Sequence, residues 1–421
     1  MSVRKLPVRP DLDQLRHQAK DLHRAILRGE PDALAELREH SPRTDPQSAK
    51  LADAQHMLAR SYQATDWPRL VHACELIDAI WRDDVDAVMH LVIAHPDLLH
   101  EQATIRESNW GPPMTYAANL GRDRIIRMLH DLGARDTEWA LGRAVLQGKI
   151  ATARMLHEML GRPEPPDGAL AGPAYTLSVS GTAFAFEIGA RIVGPRGLDV
   201  DAMEALLGTD GRDPAAKHRI LEMYVEHGFE PPDTPVMALH RGRIDLLHMH
   251  LERDPALLTR TFSLEDVFLF SSAANAAPYR AQGTPLDVTT LLHIAAYFDE
   301  LEIGEWLLDR GMDPDTPAAR SDDGMGGYTA LFSTVVSQPN FWVNYGEGQP
   351  DEARFTKLLL GRGANPNVRA SLRHRLEDGH GGGPLRDYRD VTALGWADRF
   401  PMKVFVSRES MRLIEAHGGT R

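Results

Sequence analysis

"TTLLHIAAYFDELEIGEWLLDRGMDPD", residues 289–315, decides how this chain of 421 residues is read. Apolar residues and the pair Ala295–Ala296 give a short helix up to Phe298. Two acids, Asp299 and Glu300, break it, and a second amphipathic run ends in Asp309-Arg310-Gly311. Gly311 suits the left-handed C-cap of a helix, and the Met-Asp-Pro-Asp that follows favours a turn. A unit of two short helices and a turn cannot bury its apolar face alone and must stack on a neighbour.

The same helix ending recurs along the chain. "RMLHDLG" ends at Gly133, "RMLHEMLG" at Gly161 and "EMYVEHG" at Gly228, while "KLLLGRG" ends at Gly363 and "RLIEAHG" at Gly418. In each, an apolar face runs into a charged last turn and then a glycine. Internal repetition therefore has to be settled before any single motif is interpreted. A preceding helix is legible in "TALFSTVVSQ" and in "TALGWADRF", and small residues at the alanine pairs let paired helices approach closely.

"TLLHIAA … LLDRGMDPD" and "LLLGRGANPN" resemble ankyrin repeats, whose pattern runs TPLHxAA, then a glycine, then LLxxGADxN. The resemblance covers roughly residues 75 to 420 and is sharpest in the C-terminal third. It implies an all-α fold, an ankyrin-repeat solenoid of stacked helix pairs, over 74–421. The clearest repeats are 112–138, 289–318, 328–368 and 390–419, and the repeats of 139–288 are degenerate. Spacing departs from the usual ~33 residues: Gly311 to Gly363 is 52 and Gly363 to Gly418 is 55, so loops are inserted.

Residues 1–73 read differently, as a helical N-terminal module similar to those found ahead of repeats in bacterial ankyrin proteins. In "RPDLDQLRHQAKDLHRAIL", Leu12, Leu15, Ala19, Leu22 and Ile26 share one helical face, with Asp11 as N-cap. "SAKLADAQHMLARSYQATDWPRLV" gives a further helix and a Trp-Pro turn. A cap over the open end of the solenoid and a separate recognition module are the two readings of this segment.

Composition narrows the function class. Charged residues at 25% and hydrophobic residues at 43% describe a folded chain, not a disordered one. A net charge of −13 argues against sequence-independent attraction to nucleic acid or anionic lipid. No run approaches the 18 or so apolar residues of a membrane span, and no apolar signal core follows the N-terminus. Cys74 is the single cysteine, so no intramolecular disulfide forms, and a cytoplasmic, reducing location is expected. Arginine outnumbers lysine 40 to 7, which reads as the codon bias of a GC-rich bacterial genome.

Catalytic and metal motifs are weighed against this scaffold. The resemblance implies that His293 hydrogen-bonds turn backbone between repeats; Phe332 and Gly395 stand at the equivalent positions. His248 and His250, two apart on a helix, point about 200° from each other and do not share an ion. "GHGGG" at 379–383 resembles an oxyanion-hole segment but lacks a G-x-S-x-G elbow, so it reads as a flexible loop between repeats. "GRAVLQGK" at 142–149 has the wrong glycine spacing for a phosphate loop. The acid pairs Asp83–Asp84, Asp299–Glu300 and Asp322–Asp323 read as solvated turn carboxylates. No cofactor, no metal and no catalytic residue are expected.

Two insertions and the repeat faces remain as candidate binding sites. "PNFWVNYGEGQPDEAR", 339–354, carries Phe341, Trp342 and Tyr345, either partner anchors or a plug on the neighbouring repeat. The loop 367–390 carries Arg373 and Arg375 among several arginines and acids and reads as a solvated surface, with a small anion or acidic peptide as the alternative. By the resemblance, the positions after the alanine pair face the binding groove: Tyr297 and Phe298, Arg399 and Phe400, and Asn119 with Leu120. One of each pair can instead pack on the next repeat. The expectation is a non-catalytic scaffold that binds a protein partner, with no membrane and no nucleic acid among the expected partners. The competing expectation is a small-molecule- or anion-binding protein, or an enzyme, whose pocket is closed by loops 339–354 and 367–390.

Overall fold

The computed structural model describes residues 4, 6–209, 211–270, 283–337, 351–375 and 385–421. They are mostly helical and form two compact units, 1–163 and 164–421.

The first unit begins with α1 (Leu12–Leu27), α2 (Pro31–His40) and α3 (Leu51–Ser61). Asp11 caps α1 by accepting from the amides of Asp13 and Gln14 at 2.8 and 3.1 Å. Leu15, Ala19 and Ile26 of α1 are buried, and Leu12 and Leu22 are partly so, as one apolar stripe requires. Trp67 and Pro68 are the first turn of α4 (Trp67–Trp81), not a free turn; Asp66 caps it and proline costs nothing where no amide partner is needed. Leu70 and Cys74 of α4 join Leu15, Ala19 and Leu58 in one apolar cluster. The expected boundary at 73/74 therefore falls inside a helix that belongs to the N-terminal core. The unit runs on through α5 (Val85–Ala94), α6 (Pro113–Leu120), α7 (Asp123–Asp131), α8 (Thr137–Leu146) and α9 (Ile150–Met159). Here α4 packs on α5, α6 on α7 and α8 on α9, while α4, α6 and α8 stack in one row and α5 and α7 in another.

The second unit opens with α10 (Ala171–Tyr175) and α11 (Val179–Glu187), then a short hairpin of β1 (Val193–Gly194) and β2 (Gly197–Leu198). Next come α12 (Val200–Leu207), α13 (Pro214–Glu226), α14 (Pro235–His240), α15 (Ile244–Arg253) and α16 (Leu264–Val267). The stretch quoted first forms α17 (Leu291–Phe298) and α18 (Leu301–Asp309). It is followed by α19 (Ala330–Val335), α20 (Arg354–Gly361), β3 (Ala370–Arg375), β4 (Leu385–Val391), α21 (Ala393–Arg399) and α22 (Arg408–Ala416). Helices α14, α17, α19 and α21 stack in one row and α18, α20 and α22 in another. Partners within a pair, α17 with α18, α19 with α20 and α21 with α22, also touch. A single apolar cluster extends from Leu170 to Ile414.

All six glycines that end the recurring motif have positive φ, between 82° and 97°. Side chains tie one pair to the next. His293 Nε2–H donates to the Tyr328 carbonyl at 2.9 Å, and its Nδ1 accepts from the Thr290 hydroxyl at 2.9 Å. The tautomer follows from the carbonyl, which only accepts. In the first unit Thr115 stands where His293 stands, and its hydroxyl donates to Asp136 at 2.6 Å just before α8. A different residue type performs the same bridging.

The 367–390 segment, expected as an inserted loop with a solvated surface, carries the longer strands of a mostly helical fold. Its described residues are an antiparallel hairpin, with Leu372 opposite Tyr388 and Arg373 opposite Asp387. Ala370, Leu372 and His374 are buried while Ser371 and Arg373 alternate outward, the period of a strand. Gly326 bonds Ser371 through both backbone groups, at 2.7 and 3.2 Å. A Cβ at Gly326 would sit 1.9 Å from the Ala319 carbonyl, so only glycine fits.

Candidate functional site

A cleft of about 1030 Å³ lies within the second unit, between the start of α13, the turn joining α17 to α18, the start of α20 and the start of α22. Asp213 and Pro214 start α13, with Asp213 accepting from the Ala216 amide at 3.0 Å. One turn later the helix delivers Lys217 inward and His218 to the cleft wall. Across from it, Asp299 takes the left-handed conformation (φ 58°, ψ 34°) as C-cap of α17, and the Glu300 amide closes back onto the Ala295 carbonyl at 2.9 Å. That sharp reversal turns Glu300 into the interior. The reading of Asp299–Glu300 as two solvated turn carboxylates is corrected here: the Glu300 side chain is 2% exposed.

Glu300 holds two cationic or proton-donating partners. Lys217 Nζ lies 2.6 Å from Glu300 Oε1, and His218 Nε2 lies 2.9 Å from Oε2. The lysine ammonium also sits 4.5 Å from the centre of the Phe298 ring. Burial alone would raise the Glu300 carboxyl, but the charge of Lys217 and the hydrogen bond from His218 outweigh it and hold its pKa below the usual range. Asp299 goes the other way. Burial pushes it up to about 6, against the pull of Arg354 and Arg212. Two adjacent acids are thus split, one locked as an anion and one close to titrating.

The side chains around the cleft differ in how far they are satisfied. Arg212 Nε donates to the Ser337 carbonyl at 2.9 Å and its Nη1 to those of Thr209 and Gly211 at 3.0 and 3.1 Å. Asp351 receives the Ser407 hydroxyl at 2.8 Å and the Glu409 amide at 3.2 Å, so it occupies the N-terminus of α22. Arg354 faces Glu352 and Arg412 faces Glu409. Asp299, Glu302 and Arg408 have no hydrogen-bond or ion-pair partner among the described residues. The described residues of loop 367–390 take no part in the lining, whereas residues 351–354 of the other insertion do.

The expected groove residues fall elsewhere. Tyr297, Phe298 and Phe400 are buried core residues, and so is Asn119. Tyr297 and Phe298 close over Arg212, whose guanidinium lies 4.7 and 5.6 Å from their ring centres. Phe400 packs against Trp396 and Phe405 at 5.1 and 6.2 Å. Asn119 donates to the Thr115 carbonyl at 2.9 Å and accepts from Arg143 at 2.7 Å, a buried polar brace. Of the pairs after the alanines, Arg399 is exposed. Arg373 clamps the hairpin, donating to Asp387 at 2.7 and 3.1 Å and to Asp323 at 2.7 Å. Phe341, Trp342 and Tyr345 lie outside the described residues, as do the Arg375 side chain and the "GHGGG" stretch.

His248 and His250 have separate partners, Glu252 at 3.3 Å and Asp233 at 3.2 Å. Among the described residues no group of three or more His, Cys, Asp or Glu side chains is placed to hold a metal ion. No described helix is long and apolar enough to cross a membrane. The residues the sequence reading missed are Lys217 and His218. Their signal was weak: a lysine at a core-facing helical position in "DPAAKHRILEMYVEHG", one turn after an Asp-Pro start.

No protein-family model matches the sequence, and no curated protein matches it. Among solved structures, the ankyrin repeat domain of human ASB11 aligns with 18% sequence identity and a TM-score of 0.27. That alignment covers 60% of this chain and 99% of the other.

Proposed function

We propose that this protein is a non-catalytic binding scaffold, built from ankyrin-type helix pairs, that holds a protein partner. The observation that carries the reading is the two-row stack of the second unit, tied between pairs by the His293 bond to Tyr328. Such a stack fixes its outer surface in advance, so little ordering entropy opposes association. The positive-φ glycines at the recurring helix ends support the ankyrin-type reading. A cytoplasmic location belongs to the same proposal, on the strength of a single, buried cysteine.

The test is capture of partners from a host lysate by the full chain, followed by reconstitution with the purified candidate and titration calorimetry. A partner that rebinds at a fixed stoichiometry supports the scaffold. A small molecule retained in native mass spectrometry, with no protein, transfers the function to the cleft. The split acids Asp299 and Glu300 beside His218 are what favour that second reading.

A further inference from the structure

We propose that the cleft of the second unit accepts a cationic side chain, the ammonium or guanidinium of a basic peptide segment, with Asp299 as its ion-pair partner. This deepens the scaffold reading and rests on it for the source of the cation.

The argument begins with what each lining group has left to offer. Among the described residues, seven carboxylates and four arginines line the cleft, an excess of negative charge. Lys217, behind the floor, adds a positive charge that Glu300 already matches. Arg212 is spent on three backbone carbonyls, and Arg354 and Arg412 face acids of their own. What remains unmatched is mainly acceptor. Asp299 is partly buried and has no donor among the described residues. Glu302, on the first turn of α18, has none either.

In its neutral form His218 adds a third acceptor. Its Nε2 is engaged by Glu300 at 2.9 Å, so in the neutral ring Nε2 carries the proton and Nδ1 keeps a lone pair. The backbone at Gly242 lies so close to the ring that a Cβ there would come within 2.2 Å of it: glycine lets backbone and imidazole meet. The side chain is 27% exposed, open to the cleft it lines. Carboxylate, carboxylate and imidazole nitrogen are all acceptors, and an ammonium or guanidinium is donor only. A cation beside Asp299 would also offset the burial cost that lifts its carboxyl. Arg408 is the one lining arginine without a partner among the described residues, and it gives an acidic or terminal carboxylate on the same peptide a place to rest.

The experiment is titration calorimetry of the full chain with an arginine- and lysine-rich peptide, an acidic peptide of equal length, and spermidine. Asp299→Asn is the test variant, since asparagine tolerates the left-handed backbone there, and Glu302→Gln is the second. The basic peptide should bind, more weakly as salt rises, and lose at least about tenfold in affinity with Asp299→Asn. Equal affinity in both single variants, or preference for the acidic peptide, overturns the proposal. Binding of spermidine without the basic peptide overturns the peptide source and leaves a free polyamine as occupant. A captured protein partner that binds Asp299→Asn as tightly as the wild type sinks this inference while the scaffold reading stands.

Discussion

Lys217 Nζ and Glu300 Oε1 lie 2.6 Å apart, and their side chains are 3% and 2% exposed. An ion pair sealed this far from water depends on both members. Removing one leaves a bare charge in the core, at a cost of about 3–5 kcal/mol, whereas replacing both by apolar groups is often close to neutral. Lys217→Met should therefore be severely destabilised in urea titrations, and Lys217→Met with Glu300→Leu should recover much of the loss. A single variant with the wild-type midpoint would mean that water reaches the pair.

Asp299 gives a pH signature. Its folded pKa of about 6 lies above the ordinary 3.8, so the folded chain binds the extra proton. The stability this group contributes is complete below 3.8 and is lost as pH rises through about 6. Asp299→Asn should flatten that part of the stability curve and raise Tm at neutral pH. Thermal melts at half-unit pH steps would show it, and a lower neutral Tm in the variant would contradict it.

His293 has the opposite sign. Burial depresses its pKa to about 4 from 6.5, so its contribution is present above 6.5 and lost as pH falls through about 4. His293→Phe fills the space but cannot donate to the Tyr328 carbonyl, and the orphaned carbonyl should cost about 1–3 kcal/mol at neutral pH. The variant should also lose part of the acid sensitivity, while His240, held down to about 3 by burial, keeps its own share. An unchanged acid limb would remove His293 from the account.

Arg373 ties the hairpin to Asp387 and Asp323, and all three charges are at the surface. Ser321 and Arg373 together hold the Asp323 carboxyl down to about 2. Exposed pairs are screened by salt. Arg373→Gln should leave global Tm nearly unchanged, yet speed amide exchange along β3 and β4 at low salt, with the difference fading at high salt. Exchange rates indifferent to salt would show that the hairpin is held by its apolar face alone.

The helix ends were legible because each rests on local chemistry. A charged last turn and a glycine at positive φ are written in seven consecutive residues, as are the Asp11 cap and the face of α1. The hairpin was not legible although Ala370, Leu372 and His374 alternate correctly, because Arg369, Arg373 and Arg375 around them give the stretch the charge of a solvated loop. Tyr297, Phe298 and Phe400 were misplaced for a different reason. Whether the residue after an alanine pair faces solvent depends on what the next helix brings against it, and Arg212 and Lys217 come from about 80 residues earlier.

The sequence by itself determined where the recurring helices stop, that they come in pairs, and that such pairs must stack, because capping and amphipathic period act within a few residues. Only the tertiary structure decided which polar groups are sealed and which face a cleft. Asp299 and Glu300 are neighbours in the chain and chemically alike. Lys217 and His218, brought against Glu300 by packing, make one a locked anion and leave the other partly buried, above the usual carboxylate range, with no donor of its own among the described residues.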